Sequence, residues 1–173
     1  MKPFRLAFVA AIGLLLSGCY ELMEPVLKSG VFAPIAGRFA CTDSMSGKTR
    51  EEAFAERKNG FFFPDYRYEA SDGSELMFLA LEDNFFLAQR TPAGAAPNVA
   101  YAQFVGDKNL VLFVPNLLVK SDAIEALAKT NRISTDFVAS GALRLIGDKA
   151  NVLAFLRAHD RSLLTVLSEC KRI

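Results

Sequence analysis

Between Gly37 and Pro115 the chain alternates short apolar runs with turn signals so regularly that an antiparallel meander of strands is the natural way to fold it. Arg38, Ala40 and Thr42 alternate with Phe39 and Cys41, which puts Phe39 and Cys41 on one inward face. Thr49 to Arg57 reads as a second, largely polar strand. Asn59-Gly60 follows, and because both residues tolerate the positive φ of a type I′ turn, the pair predicts a tight hairpin into Phe61 to Ala70. Within that strand Phe62, Tyr66 and Tyr68 share a face. Asp72-Gly73 turns into Glu75 to Leu81, which is apolar on both faces, as suits a strand covered on both sides. Asp83-Asn84 leads to Phe85 to Arg90, Thr91 to Pro97 loops into Val99 to Val105, and Gly106 to Asn109 turns into Leu110 to Val114. About seven to eight short strands at this spacing predict a strongly curved sheet or a barrel.

After Pro115 the apolar period lengthens. Ser121 is placed to cap a helix in which Ile124, Leu127 and Ala128 share a face, with Lys129 and Arg132 near its C-terminal end, where the helix dipole favours cations. Ala142 to Ile146 reads as a further strand, and Asp148 is placed to cap a second helix built on Val152, Phe155 and Leu156. The tail from Arg161 carries Leu163, Leu164, Val166 and Leu167 before Cys170, so it returns to the core. The expected fold class is α+β: an antiparallel β-meander, curved or barrel-like, with two C-terminal helices, in one domain spanning 37–173. The runs Phe61-Phe62-Phe63 and Phe85-Phe86 place aromatics on both sides of the sheet, because adjacent strand residues face opposite ways. One side is core; the other must meet a helix, a ligand cavity or a partner.

Ahead of this domain, Lys2 and Arg5 form a short basic region and Leu6 to Leu16 an apolar run too short to span a bilayer, which needs about 20 residues. It ends in Leu16-Ser17-Gly18-Cys19. These four residues resemble the lipobox of bacterial lipoproteins, where a branched apolar residue, a small residue, Gly or Ala, and Cys stand in succession. The resemblance implies that 1–18 is a signal peptide cut before Cys19, that Cys19 takes a diacylglyceryl thioether, and that the new amine is acylated. Two or three acyl chains hold a protein on a membrane essentially permanently. Tyr20 stands where the enterobacterial inner-membrane retention signal has Asp, so the resemblance favours the outer membrane, facing the periplasm. Residues 19–36, with Pro25, Gly30 and Pro34 and no sustained period, read as a lipidated tether. Val26, Leu27, Val31 and Phe32 point to partial docking.

With Cys19 lipidated, Cys41 and Cys170 remain as an even pair in an oxidising compartment, and a disulfide between them is expected. Two cysteines and the lone His159 are too few for a closed zinc site, so no metal and no cofactor is expected. The chain has 20 basic and 19 acidic residues, and loss of Lys2 and Arg5 leaves it slightly acidic, without the clustered basic excess that nucleic acid demands.

The remaining motifs carry little chemistry. Ser46-Gly47-Lys48-Thr49 resembles the end of a phosphate-binding loop, but Thr42 stands where the first glycine belongs and Thr49 opens a strand instead of a helix, so no nucleotide is expected. His159-Asp160-Arg161-Ser162 holds the residue types of a hydrolase triad, yet sequence neighbours rarely point at one another and no nucleophile elbow accompanies them. At a helix end, His159 is better placed to bond the last carbonyls. Glu51-Glu52, Glu82-Asp83 and Asp65, near Arg67, read as solvated surface. No catalytic residue is assigned. The expectation is a non-enzymatic interaction or accessory module of the envelope, attached through its lipid and meeting a protein partner. The alternatives are a lipocalin-like carrier of a small apolar ligand, for which an apolar void above about 300 Å³ is the mark, and an envelope hydrolase or hydrolase inhibitor.

Overall fold

The computed structural model describes residues 19–60, 62 and 64–173; the expected signal peptide, 1–18, lies outside them, as do Phe61 and Phe63. In chain order the elements are β1 (Tyr20–Leu22), β2 (Gly37–Asp43), β3 (Thr49–Asn59), β4 (Asp65–Ala70), β5 (Glu75–Glu82), β6 (Phe85–Thr91), β7 (Asn98–Val105), β8 (Asn109–Pro115), α1 (Leu117–Thr130), β9 (Ser134–Phe137), β10 (Leu143–Ile146), α2 (Lys149–Arg157), a 3₁₀ turn (Arg161–Leu163) and β11 (Leu164–Arg172). Strands β2 to β8 pair antiparallel in succession. β11 then pairs with both β8 and β2, closing an eight-stranded antiparallel barrel. The apolar tail thus supplies the closing strand, and closure removes the free edges that a meander would otherwise expose.

Strand pleating sorts the apolar residues into two cores. Leu76, Phe78, Phe86, Ala88, Ala102 and Phe104 point inward and fill the barrel with Phe39, Phe54 and Tyr68. Their strand neighbours Met77, Phe85, Leu87, Val99 and Tyr101 point outward into a second core, formed with Ile124 and Ala128 of α1 and Val152, Phe155 and Leu156 of α2. Both faces of β5 and β6 are therefore covered, as their unbroken apolar sequence demands. Beside β7 the sheet forks. The N-terminal end of β7 pairs with β1, which runs parallel to β10, and β10 pairs with β9.

Residues 19–36 are not a tether. Tyr20, Leu22, Val26 and Leu27 are buried in the outer core, and Ala33 and Ile35 in the inner one. The segment crosses the barrel wall between β4 and β5, whose mutual ladder covers only Tyr68 opposite Leu76 and Glu69 opposite Glu75. Where they splay, the Tyr66 N–H donates to the Gly30 carbonyl (3.0 Å) and the Val31 N–H donates to the Phe78 carbonyl (2.9 Å). The Asp65 carboxylate accepts from the Gly30 N–H (2.7 Å), and the Tyr68 hydroxyl lies 2.9 Å from the Ala33 N–H and 2.7 Å from the Ala33 carbonyl. Backbone groups that looked like those of a solvated linker are thereby satisfied inside the fold.

Three local expectations change. Asn59 ends β3 opposite Asp65, so five residues, 60–64, separate the two strands where a two-residue turn was expected; Pro64 has no N–H to donate to the ladder. Helix α1 starts one turn before Ser121, capped by Asn116, whose side chain accepts from the Val119 N–H (3.3 Å), and kinks at Lys120. Asp148 sits at the cap of α2 but makes no side-chain capping bond.

Candidate functional site

Because strands alternate in direction, one end of the barrel carries the loops 44–48, 71–74 and 92–97 and the start of α1. This end is a polar mouth on an apolar interior. Arg50 and Glu52 share a strand face with the core residue Phe54, and Arg90 shares one with Ala88, so all three enter the mouth. Glu52 bonds Arg50 (2.9 Å) and lies 3.9 Å from Arg90, which donates to Asp72 (2.6 Å) and to the Ser74 hydroxyl (2.7 Å). Burial raises the Asp72 pKa, but hydrogen bonds from Ser74 and the Arg90 charge outweigh it and hold the carboxyl below its ordinary range. Glu52, expected on the solvated surface, instead lines the interior with its side chain only 14% exposed. Its spacing from Phe54 was the available signal that it belongs to the interior.

Cys19 lines the same interior, with Asn98, Ala100, Leu112 and Leu167 nearby. It is buried, its carbonyl accepts from the Leu143 N–H (3.2 Å), and burial pushes its thiol up to about 12, the Arg90 charge opposing weakly. The free space there is about 80 Å³, against the roughly 300 Å³ at which ligand pockets begin. A closed barrel is compatible with a carrier, but six aromatic side chains (Phe39, Phe54, Tyr68, Phe78, Phe86 and Phe104) occupy the volume a ligand would need. Also in this core, Cys41 and Cys170 are bonded across β2 and β11 with their Cα atoms 3.9 Å apart, short of the roughly 7 Å beyond which two cysteines cannot be bridged.

The triad-like cluster resolves differently. His159 is buried, with Nδ1 2.9 Å from the Phe155 carbonyl and Nε2 2.6 Å from the Tyr20 hydroxyl. A carbonyl only accepts, so Nδ1 carries the proton and Nε2 accepts from Tyr20. Burial lowers the His159 pKa from 6.5 to about 4, partly offset by the Phe155 bond, and burial raises the Tyr20 pKa. Asp160 points elsewhere, accepting from the Ser162 N–H (2.7 Å). Arg161 pairs with Glu82 (3.1 Å) and lies over the Phe85 ring. The cluster flanks an open groove of about 620 Å³, but its histidine is neutral and engaged on both sides by structural partners.

The other candidates are also structural. Ser46-Gly47-Lys48-Thr49 lies at the β2–β3 turn, where Asp43 accepts from the Met45 and Ser46 N–H groups and the Ser46 hydroxyl. Asp65 and Arg67 pair at 2.8 Å, Arg67 reaches Glu75 at 3.0 Å, and Glu51 pairs with Arg38 at 2.6 Å. Among the described residues no group of three or more His, Cys, Asp or Glu side chains is arranged to hold a metal ion. Comparison with protein-family models, with curated proteins and with solved structures gave no match.

Proposed function

We propose that this chain is a lipid-anchored protein of the bacterial envelope, attached at Cys19 to the outer membrane on its periplasmic side, whose barrel acts as a non-enzymatic interaction module. The supporting observation is the meeting of two independent features at one residue. The lipobox-like run predicts Cys19 as the mature N-terminus, and the folded domain reaches up to that position: Tyr20 is fully buried, pairs with β7 and β10, and donates to His159. Mass spectrometry of the membrane fraction tests it. The expected result is an N-terminal peptide beginning at a diacylglyceryl-modified Cys19, and a Cys19→Ala variant found in the soluble fraction. An unmodified chain starting elsewhere contradicts the reading.

The barrel architecture favours one second reading, a carrier of a small apolar molecule. Native mass spectrometry of the purified protein tests that reading through co-purifying mass; the interior space of about 80 Å³ weighs against a preformed site.

A further inference from the structure

We infer that the barrel stands on the lipid bilayer with its polar mouth, the end bearing loops 44–48, 71–74 and 92–97, facing the membrane, and that this end is a lipid-contacting surface. The inference rests on the lipid attachment proposed above and adds an orientation that attachment alone does not give. A lipoprotein with a spacer after its cysteine can turn freely over the membrane. Here there is none. Consecutive Cα atoms are about 3.8 Å apart, and Tyr20, next to Cys19, is already buried and fixed by two strand ladders and His159.

The position of Cys19 selects the end. It precedes Tyr20, which lies opposite Val99 near the start of β7, and its side chain lines the cavity with Arg50, Glu52 and Arg90. Cys19 is buried and the interior offers about 80 Å³, too little for acyl chains, so an acylated sulfur has to turn outward, and the nearest end of the barrel is the mouth bearing Arg50, Glu52 and Arg90. The surface at this end exposes apolar residues beside the charges of Lys48 and Asp72. Met23 is 65% exposed, Met45 81%, Leu118 95% and Val119 72%. Met23 follows Leu22, whose N–H donates to the Pro97 carbonyl (2.8 Å), so it stands beside the 92–97 loop, where Ala93-Gly94-Ala95-Ala96 is exposed and uncharged. The opposite end also exposes apolar residues, Phe62 (85%) and Val105 (51%), and its turns carry Glu82-Asp83 and Asp107-Lys108; what sets it apart is that it lies a barrel's length from Cys19.

The test uses the full chain, exported, purified from membranes and reconstituted into vesicles of phosphatidylethanolamine and phosphatidylglycerol. With Cys19 acylated and Cys41 bonded to Cys170, a single introduced cysteine is the one free thiol, and an environment-sensitive fluorophore is attached at Met45→Cys, Leu118→Cys or Val105→Cys in turn. The expected result is that nitroxide-bearing lipid quenches the probes at 45 and 118 at least threefold more than the probe at 105. Equal quenching at all three positions, stronger quenching at 105, or none at 45 and 118 overturns the orientation while an acylated mass leaves the anchoring intact. A mass without acylation overturns both.

Discussion

Gly30→Ala is the most direct test of how the N-terminal segment enters the barrel. Gly30 is not in the left-handed region, so backbone conformation does not forbid alanine; space does. An added Cβ would lie closer to the Tyr66 carbonyl oxygen than real Cβ atoms do, with the Tyr66 carbonyl carbon at 3.2 Å and the Phe78 nitrogen at 3.5 Å. Both neighbours are backbone in the barrel wall, so neither can swing away as a side chain would. The segment must retreat, and the bonds from Tyr66 N–H to Gly30, from Val31 N–H to Phe78 and from Gly30 N–H to the Asp65 carboxylate lengthen or break together. Two neutral bonds at about 1 kcal/mol each and one to a charged group at about 2 give a loss of about 4 kcal/mol. For a domain this size that is roughly 12 °C in melting temperature. Gly73→Ala is the control: it meets nothing within 4 Å but has φ at +79°, so only the left-handed penalty of about 1 kcal/mol applies. Urea and thermal unfolding of the two variants measure the difference. If Gly30→Ala loses no more than Gly73→Ala, the segment does not wedge the wall in the way described.

Two further perturbations address the interior. His159 is neutral in the fold, its pKa lowered from 6.5 to about 4, so in acid the unfolded chain takes up the proton first. Stability is therefore level above about pH 6.5, falls as pH drops towards 4 and levels off below, a total of about 3 kcal/mol with roughly 2 already lost at pH 5. Unfolding midpoints at pH 7 and pH 5 should draw together in His159→Phe; an unchanged pH dependence would show that another group governs acid sensitivity. Replacing both cysteines, Cys41→Ala with Cys170→Ala, releases a cross-link spanning 129 residues of sequence and should lower stability by up to about 5 kcal/mol on chain-entropy grounds. A variant as stable as the parent by urea unfolding would show that the unfolded chain is already constrained at these positions.

The folded domain was legible in the sequence where its signals are local. Alternation and turn residues gave the strands from Gly37 to Pro115, because the pleat makes a period of two unavoidable wherever one face is buried. Two-faced apolar runs such as Met77-Phe78 and Phe85-Phe86 likewise announced that something covers the outside of the sheet, and α1 and α2 are what covers it. The pairing of Cys41 with Cys170 was expected once the lipobox-like run set Cys19 apart, and the two cysteines stand opposite each other on neighbouring strands.

What only the tertiary structure decided lies in contacts between residues far apart in the chain. Closure by β11 depends on two ladders to strands about 50 and 130 residues away, and no local pattern distinguishes an apolar tail that packs from one that pairs. The fate of 19–36 is the sharper case. Pro25, Gly30 and Pro34 read as linker punctuation because nothing nearby can satisfy their neighbours' backbone groups, yet Gln89, Tyr66, Phe78 and Tyr68 do so from across the sequence. The same contacts turn Gly30 from a flexible residue into one required for close approach. They also turn Cys19 from the end of a leash into a fixed point at the barrel mouth. A lipobox-like motif specifies where a lipid would be attached, because that reading is local; which end of the domain the lipid would hold against a membrane is a property of three-dimensional packing alone.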